Sequence, residues 1–321
     1  GIRDVLTSRW LGDVYKRQII DRLIVPIYLK SNSDSLFEDL KPEIIISLGG
    51  MIISKKVKTF LRNYKSRRHI HIGNNISKDS FYSGVEHVQA SPNKFFENID
   101  IKKTESNYNK LWQDINSTNL ELHNRYLKII NFSDLKVFEI LSKWIPKKYQ
   151  IQVANSTPIR YFQLFDLKNK NLMYANRGTS GIDGSTSTAV GSSVNSDSPV
   201  TLITGDLSFF YDINALWNRH IPCSFRIIII NNGGGGIFKI LPGFKEDDLF
   251  AEFIETKHIL SARSIAKMFS FNYTKVSSKF GLNLALRTFF KNSKKPKILE
   301  IKTSGIKSCL LYTSDAADDC R

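Results

Sequence analysis

Two runs, Val200–Thr204 and Phe225–Ile230, are apolar and β-branched with almost no polar interruption. That is the pattern of strands buried on both faces of a parallel sheet. Each run stops abruptly, the first at Gly205-Asp206-Leu207 and the second at Asn231-Asn232 followed by Gly233–Gly236. Between them, Leu207–Asn218 has room for one short helix. The two runs are therefore expected side by side, with a carboxylate and an amide on neighbouring strand ends, where open α/β sheets hold their ligands.

The remaining pattern extends this reading in both directions. From Ile19 the chain reads LIVPIYL, a polar turn, SLFEDLKP, and then a strand Glu43–Leu48 that stops at Gly49-Gly50. Val57, Phe60 and Leu61 give Ser54–Tyr64 helical spacing, and His69–Ile72 is a strand closed by Gly73 and two Asn. This is a strand–helix–strand unit, the tail of a Rossmann-like domain. Ala90-Ser91-Pro92 and the charged stretch 100–106 mark a connection, followed by a long polar helix through Tyr108, Leu111, Trp112, Ile115 and Leu122. Ser133 is a good N-cap for a helix whose apolar face is Leu135, Phe138, Ile140 and Leu141, ended by Pro146. Ile151–Val153 is a short strand running into Asn155–Arg160. Met173-Tyr174-Ala175 leads into Asn176–Gly184, and Ser185–Ser193 is small enough to pack a helix tightly on a sheet. A helix over Ala262–Phe271, a strand over Tyr273–Val276, a helix over Leu282–Phe290 and a strand over Ile298–Ile301 complete a doubly wound, mostly parallel α/β sheet.

Composition narrows the class without changing the fold. The 321 residues suit about two domains. Hydrophobic residues at 41% and charged residues at 24% are ordinary for a globular chain. No apolar run approaches the roughly 20 residues that span a membrane, so the expected setting is cytoplasmic, with no membrane partner. The net charge of +16 comes from lysines scattered among Asn and Ile rather than gathered in a basic stripe, which argues against nucleic acid and favours anionic ligands. The 3 cysteines offer neither a disulfide framework nor metal-ligand spacing, and Cys223 reads as a buried core thiol. Neither a Ser-His-Asp nor a Cys-His arrangement is evident, so no acid/base or nucleophilic catalytic residue is assigned. His258, a single histidine without a partner motif, reads as a surface or supporting residue rather than a base.

A carboxylate, an amide and a glycine-freed carbonyl are the hard oxygen ligands that Mg²⁺ prefers, alongside substrate phosphate oxygens. Asp206 and Asn232 thus read as a clamp for a metal-bound diphosphate. Their spacing resembles that of the thiamin-diphosphate enzymes, whose motif is Gly-Asp-Gly followed by Asn or Asn-Asn; here the third glycine is Leu207. The loops ANSTPIR, NRGTSGIDG, GDLSFFYDINAL and INNGGGGIFKILP resemble more narrowly the menaquinone-pathway family of 2-succinyl-5-enolpyruvyl-6-hydroxy-3-cyclohexene-1-carboxylate synthases. The resemblance runs from Ile19 to Gly305 and is strongest over Asn155–Pro242.

The resemblance implies residue roles. The Asp206 and Asn232 side chains and the Gly234 carbonyl would hold Mg²⁺, which Mn²⁺ can replace. Gly205, Leu207, Ser208, Gly181, Ile182, Gly235 and Ile237 would line thiamin diphosphate, with Ile182 under its bend. Ser156, Arg160, Arg177 and Phe238 would face the substrates, 2-oxoglutarate and isochorismate. Lys56 would add a basic contact, although the family tends to carry Arg there. The reaction implied is a transferase carboligation: 2-oxoglutarate loses carbon dioxide and its four-carbon remainder adds to isochorismate. An acetolactate-synthase-like enzyme or a 2-oxoacid decarboxylase would share the metal motif but not the surrounding loops, and a non-catalytic fragment is the rival from another class.

The domain reading follows the same likeness. Residues 1–18 and 309–321 resemble translated cloning sequence and are expected to be non-native. Residues 19–103 correspond to the end of the central domain and 104–308 to the diphosphate-binding domain. With the pyrimidine domain and an initiating Met both missing, the chain is expected to be a fragment of a homodimer or homotetramer, inactive alone because that domain supplies the activating glutamate.

Overall fold

Every strand pair described in this computed structural model is parallel. It describes residues 32–49, 52–74, 79–99, 107–167, 171–236 and 250–303. The chain divides into two compact units, 1–124 and 125–321.

In the first unit a three-stranded sheet, β1 (Ile44–Leu48), β2 (Arg68–Ile72) and β3 (Val85–Val88), follows chain order. Helices α1 (Ser33–Leu40) and α2 (Lys55–Asn63) contribute Phe37, Leu40, Val57 and Phe60 to a small core. Ser54 caps α2 by accepting from Val57 N at 3.1 Å. The strand–helix–strand unit expected from the pattern is present. The third strand and a short helix α3 (Pro92–Asn98), capped by Ser91, were not read from it. Helix α4 (Tyr108–Ile129) follows, about two turns longer than the apolar spacing through Leu122 suggests.

The second unit begins with α5 (Asp134–Trp144), whose N-cap Ser133 accepts from Lys136 N, as its sequence predicts. Its sheet comprises β4 (Gln150–Val153), β5 (Met173–Tyr174), β6 (Val200–Gly205), β7 (Arg226–Asn231), β8 (Asn272–Val276) and β9 (Lys297–Lys302), in the order β5-β4-β6-β7-β9-β8. The helices are α6 (Thr157–Phe162), α7 (Ser185–Asn195), α8 (Asp206–Tyr211), α9 (Arg263–Met268) and α10 (Lys279–Phe289). The doubly wound α/β class is therefore present.

Strands β6 and β7 are buried along almost their whole length, as unalternating apolar runs require. One side, Leu202, Ile227, Ile229 and Ile298, packs with residues of α7, α8 and α9 in a continuous core. The alternate side, Ile203, Ile228, Ile230, Leu299 and Ile301, is equally buried. Each such side chain contributes roughly 2–3 kcal/mol by burial, so the central strand ends are rigid platforms. The chain leaves β4 for β5 on one side and returns to β6 on the other. The β4/β6 junction is the switch point at which ligands enter such sheets.

Cys223 departs from expectation. It is exposed, because it sits in the turn ahead of Phe225 rather than in the strand, and its thiol donates to Lys294 O.

Candidate active site

The polar loops after β4, β6 and β7 converge around two centres, one acidic and one basic. The acidic centre is Asp206, 3% exposed at the start of α8. Its Oδ1 accepts from Leu207 N at 2.8 Å. Its Oδ2 accepts from Gly233 N at 2.8 Å and Gly234 N at 3.2 Å, so the turn after β7 folds onto the carboxylate after β6. The parallel register that pairs Gly205 with Ile230 is what brings these segments together. Gly234 has φ 148°, and a β-carbon there would stand 2.8 Å from Glu255 O. Only glycine fits so close a turn.

Asn232 Nδ2 donates to Asp134 Oδ2 at 3.0 Å, which leaves its amide oxygen as the acceptor end. Asp134 is itself fixed by Thr303 Oγ1 at 2.5 Å. The Gly234 carbonyl accepts from Gly236 N at 3.0 Å. The residues 255–258 lace the turn from its other side: Gly235 N donates to Glu255 O at 2.6 Å, and His258 N to Gly233 O at 3.1 Å. His258 also places Nε2 3.2 Å from Asp206 Oδ2 with its side chain 10% exposed, so it is not a surface residue.

Among the described residues no three His, Cys, Asp or Glu side chains form a metal-binding group. A cation at Asp206 would therefore draw on amide and carbonyl oxygens as well. The hard-oxygen character of the set fits Mg²⁺ or Mn²⁺.

The basic centre lies beyond β4. Ser156 adopts φ 72°, ψ −133°, a strained backbone for a non-glycine residue at a strand end and of the kind that gathers at ligand sites. Helix α6 follows at once and carries Arg160. Arg177, in the loop after β5, donates from Nη1 to Asn155 Oδ1 at 2.8 Å. The Nε atoms of both arginines are buried without a hydrogen-bond partner, and neither arginine forms an ion pair among the described residues. Burial, followed by the neighbouring Arg160 charge, pushes the Arg177 pKa below its ordinary value. Both remain cations, so the centre is a concentration of positive charge that still has donors to offer.

Asn155, 1% exposed, ties the loop after β4 to the loop after β5, a role not marked in the sequence although the residue stands in the ANSTPIR segment. Its Nδ2 donates to Asn176 O and Gly181 O, both at 2.6 Å. Ser208 Oγ donates to Ile182 O at 2.5 Å, fixing the other end of that loop beside Asp206. Asp212, also missed, accepts from Ser187 N and Ser187 Oγ at 2.7 and 2.6 Å, and so holds the first turn of α7. No local periodicity marks either residue, since their partners lie 21 to 26 residues away.

Of the residues singled out in the sequence, Gly205, Asp206, Leu207, Ser208, Asn232, Gly234 and Gly235 gather at the ends of β6 and β7. Ser156, Arg160, Arg177, Gly181 and Ile182 belong to the β4 and β5 loops. Lys56 is an exposed residue of α2 in the first unit. Ile237 and Phe238 lie outside the described residues. No helix among the described residues is long and apolar enough to cross a membrane.

The chain is 46% identical over 286 residues to 2-succinyl-5-enolpyruvyl-6-hydroxy-3-cyclohexene-1-carboxylate synthase of Flavobacterium psychrophilum, covering 88% of this chain and 51% of that protein. The protein of the same name from Flavobacterium johnsoniae is 46% identical over 288 residues, with 88% and 51% covered. That from Christiangramia forsetii is 47% identical over 286 residues, with 88% and 50% covered. The chain spans about half the length of the curated relatives it matches. No protein-family model matches it.

Proposed function

Because the chain is a partial-length match to the 2-succinyl-5-enolpyruvyl-6-hydroxy-3-cyclohexene-1-carboxylate synthase family, we propose that its second unit is the diphosphate- and cation-holding part of that thiamin-diphosphate enzyme. The whole protein, in this reading, is a cytoplasmic homo-oligomeric transferase that decarboxylates 2-oxoglutarate and joins the remainder to isochorismate. Residues 19–103 are read as the end of its central domain and 104–308 as its diphosphate domain. The observation that carries the reading is the buried Asp206 carboxylate under the Gly233–Gly234 turn, beside Asn232, at the carboxyl ends of two adjacent central strands.

Asp206 Oδ1, the Asn232 amide oxygen and the Gly234 carbonyl would hold Mg²⁺ or Mn²⁺, and through it the diphosphate. Gly181, Ile182, Gly205, Leu207, Ser208 and Gly235 would line the cofactor, and the Ser208–Ile182 hydrogen bond keeps that wall in place. Thiamin diphosphate, when bound, supplies the electron sink for decarboxylation and for the carbon–carbon bond that follows. Arg160 and Arg177 would bind substrate carboxylates, for which their unneutralised charge and orphaned Nε–H donors are suited. Ser156 would add a hydroxyl beside them, and Lys56, Ile237 and Phe238 complete the proposed set.

Calorimetry of thiamin diphosphate with the 321-residue chain tests the clamp. Binding should require Mg²⁺ and should vanish in Asp206→Ala, which removes the carboxylate from the hard ligand set. Unchanged Mg²⁺-dependent affinity in that variant would overturn the assignment.

A further inference from the structure

His258 has no place in the roles above, yet it reaches the buried Asp206 carboxylate. Its side chain is 10% exposed, and the Phe210 ring meets it edge-on at 5.5 Å and 89°. Leu260 N donates to Nδ1 at 3.1 Å, so Nδ1 carries the lone pair and the proton of the neutral imidazole sits on Nε2. That N–H faces Asp206 Oδ2 at 3.2 Å, outside hydrogen-bond alignment, and Nε2 has no hydrogen-bond partner. A protonated Nε2 is a donor and cannot serve as a metal ligand.

The surroundings hold the ring in this place. His258 N donates to Gly233 O, and Leu260 O accepts from Asn231 Nδ2 at 2.9 Å, which in turn donates to Glu300 Oε1 at 2.7 Å. The donors on Asp206 are unevenly divided. Gly233 N and Gly234 N donate to Oδ2, with His258 Nε2 standing 3.2 Å from it, whereas Oδ1 receives only Leu207 N.

We propose that His258 is a positioning residue for Asp206: its Nε2, 3.2 Å from Oδ2, draws that oxygen electrostatically, so that the carboxylate keeps Oδ1 turned toward a divalent cation. This rests on the reading of Asp206 as the cation ligand. Groups that orient a ligating carboxylate typically change metal affinity by about 10–100-fold when removed.

The test is the Mn²⁺ concentration that half-saturates thiamin diphosphate binding, followed by tryptophan fluorescence with cofactor in excess. Thermal unfolding of each metal-free chain is measured alongside. His258→Ala should raise the half-saturating Mn²⁺ about tenfold. His258→Gln, which keeps a donor at the distal position, should recover most of the loss, and a purely structural role would not predict that rescue. A half-saturation unchanged in His258→Ala while Asp206→Ala abolishes Mn²⁺-dependent binding would overturn the inference alone. Equal losses in the Ala and Gln variants, or a loss matched by lowered stability of the metal-free chain, would also overturn it. If Asp206→Ala binds normally, the underlying assignment of the site fails instead.

Discussion

Glu300→Gln should destabilise the second unit although it changes neither size nor shape. Glu300 lies on β9, between β7 and β8, and is fully buried. Its Oε1 accepts from Asn231 Nδ2 at 2.7 Å. Its Oε2 accepts from Ser261 Oγ at 2.8 Å, Ala262 N at 3.0 Å and Tyr273 Oη at 2.6 Å. A glutamine has one acceptor oxygen. Placed at the Oε2 position, that oxygen keeps three donors but meets them uncharged, and the amide NH₂ then confronts the Asn231 NH₂. Asn231 cannot flip to relieve this, because Lys302 Nζ donates to its Oδ1 at 3.1 Å.

Hydrogen bonds to a charged group are worth about 1.5–3 kcal/mol against about 1 for neutral ones, and a buried donor left unsatisfied costs about 1–3 kcal/mol. The lighter desolvation of an amide offsets part of this. The net loss should be about 2–4 kcal/mol, or roughly 5–15 °C in Tm for a unit of this size. Urea unfolding of the wild type and the variant measures it, with an unchanged m-value as the sign that only stability has moved. A loss below about 0.5 kcal/mol would mean that the four bonds are replaceable and that the reasoning is wrong. A second readout follows from the chain of contacts through Asn231 and Leu260 to His258: the variant should also need more Mn²⁺ to bind the cofactor.

Burial, then the Tyr273 hydrogen bond to Glu300, raises the Tyr273 phenol from 10.0 to about 12. Because the folded pKa is the higher one, its stabilising contribution is complete below pH 10.0 and is lost as pH rises toward about 12; in absorbance at 295 nm, Glu300→Gln should move the ionisation of one tyrosine to lower pH relative to the wild type. On the proposed function, Arg177→Lys should raise the Michaelis constant for a carboxylate substrate about tenfold, since an ammonium cannot present a planar fork; an unchanged constant with 2-oxoglutarate and with isochorismate, each varied separately, would assign Arg177 to structure alone.

What the sequence determined by itself was local. The unalternating runs became β6 and β7 because a strand apolar on both sides has to be covered on both sides. The glycines and polar residues that stop those runs marked the ligand edge, and Ser133 marked the start of α5 through its own hydroxyl. Asp206 and Asn232 could be placed together because both follow strands that the short intervening helix makes neighbours.

Other features were decided only in three dimensions. Chain order does not reveal that β9 inserts between β7 and β8. The β9 glutamate is dry because residues at 231, 261, 262 and 273 supply every donor. Likewise, nothing near His258 in the sequence points to Asp206, which is 52 residues earlier and meets it only once residues 255–258 are laced to the glycine turn. Periodicity records which side of an element is covered. The partner of a buried polar atom is chosen by whichever distant segment the folded sheet brings within hydrogen-bond reach.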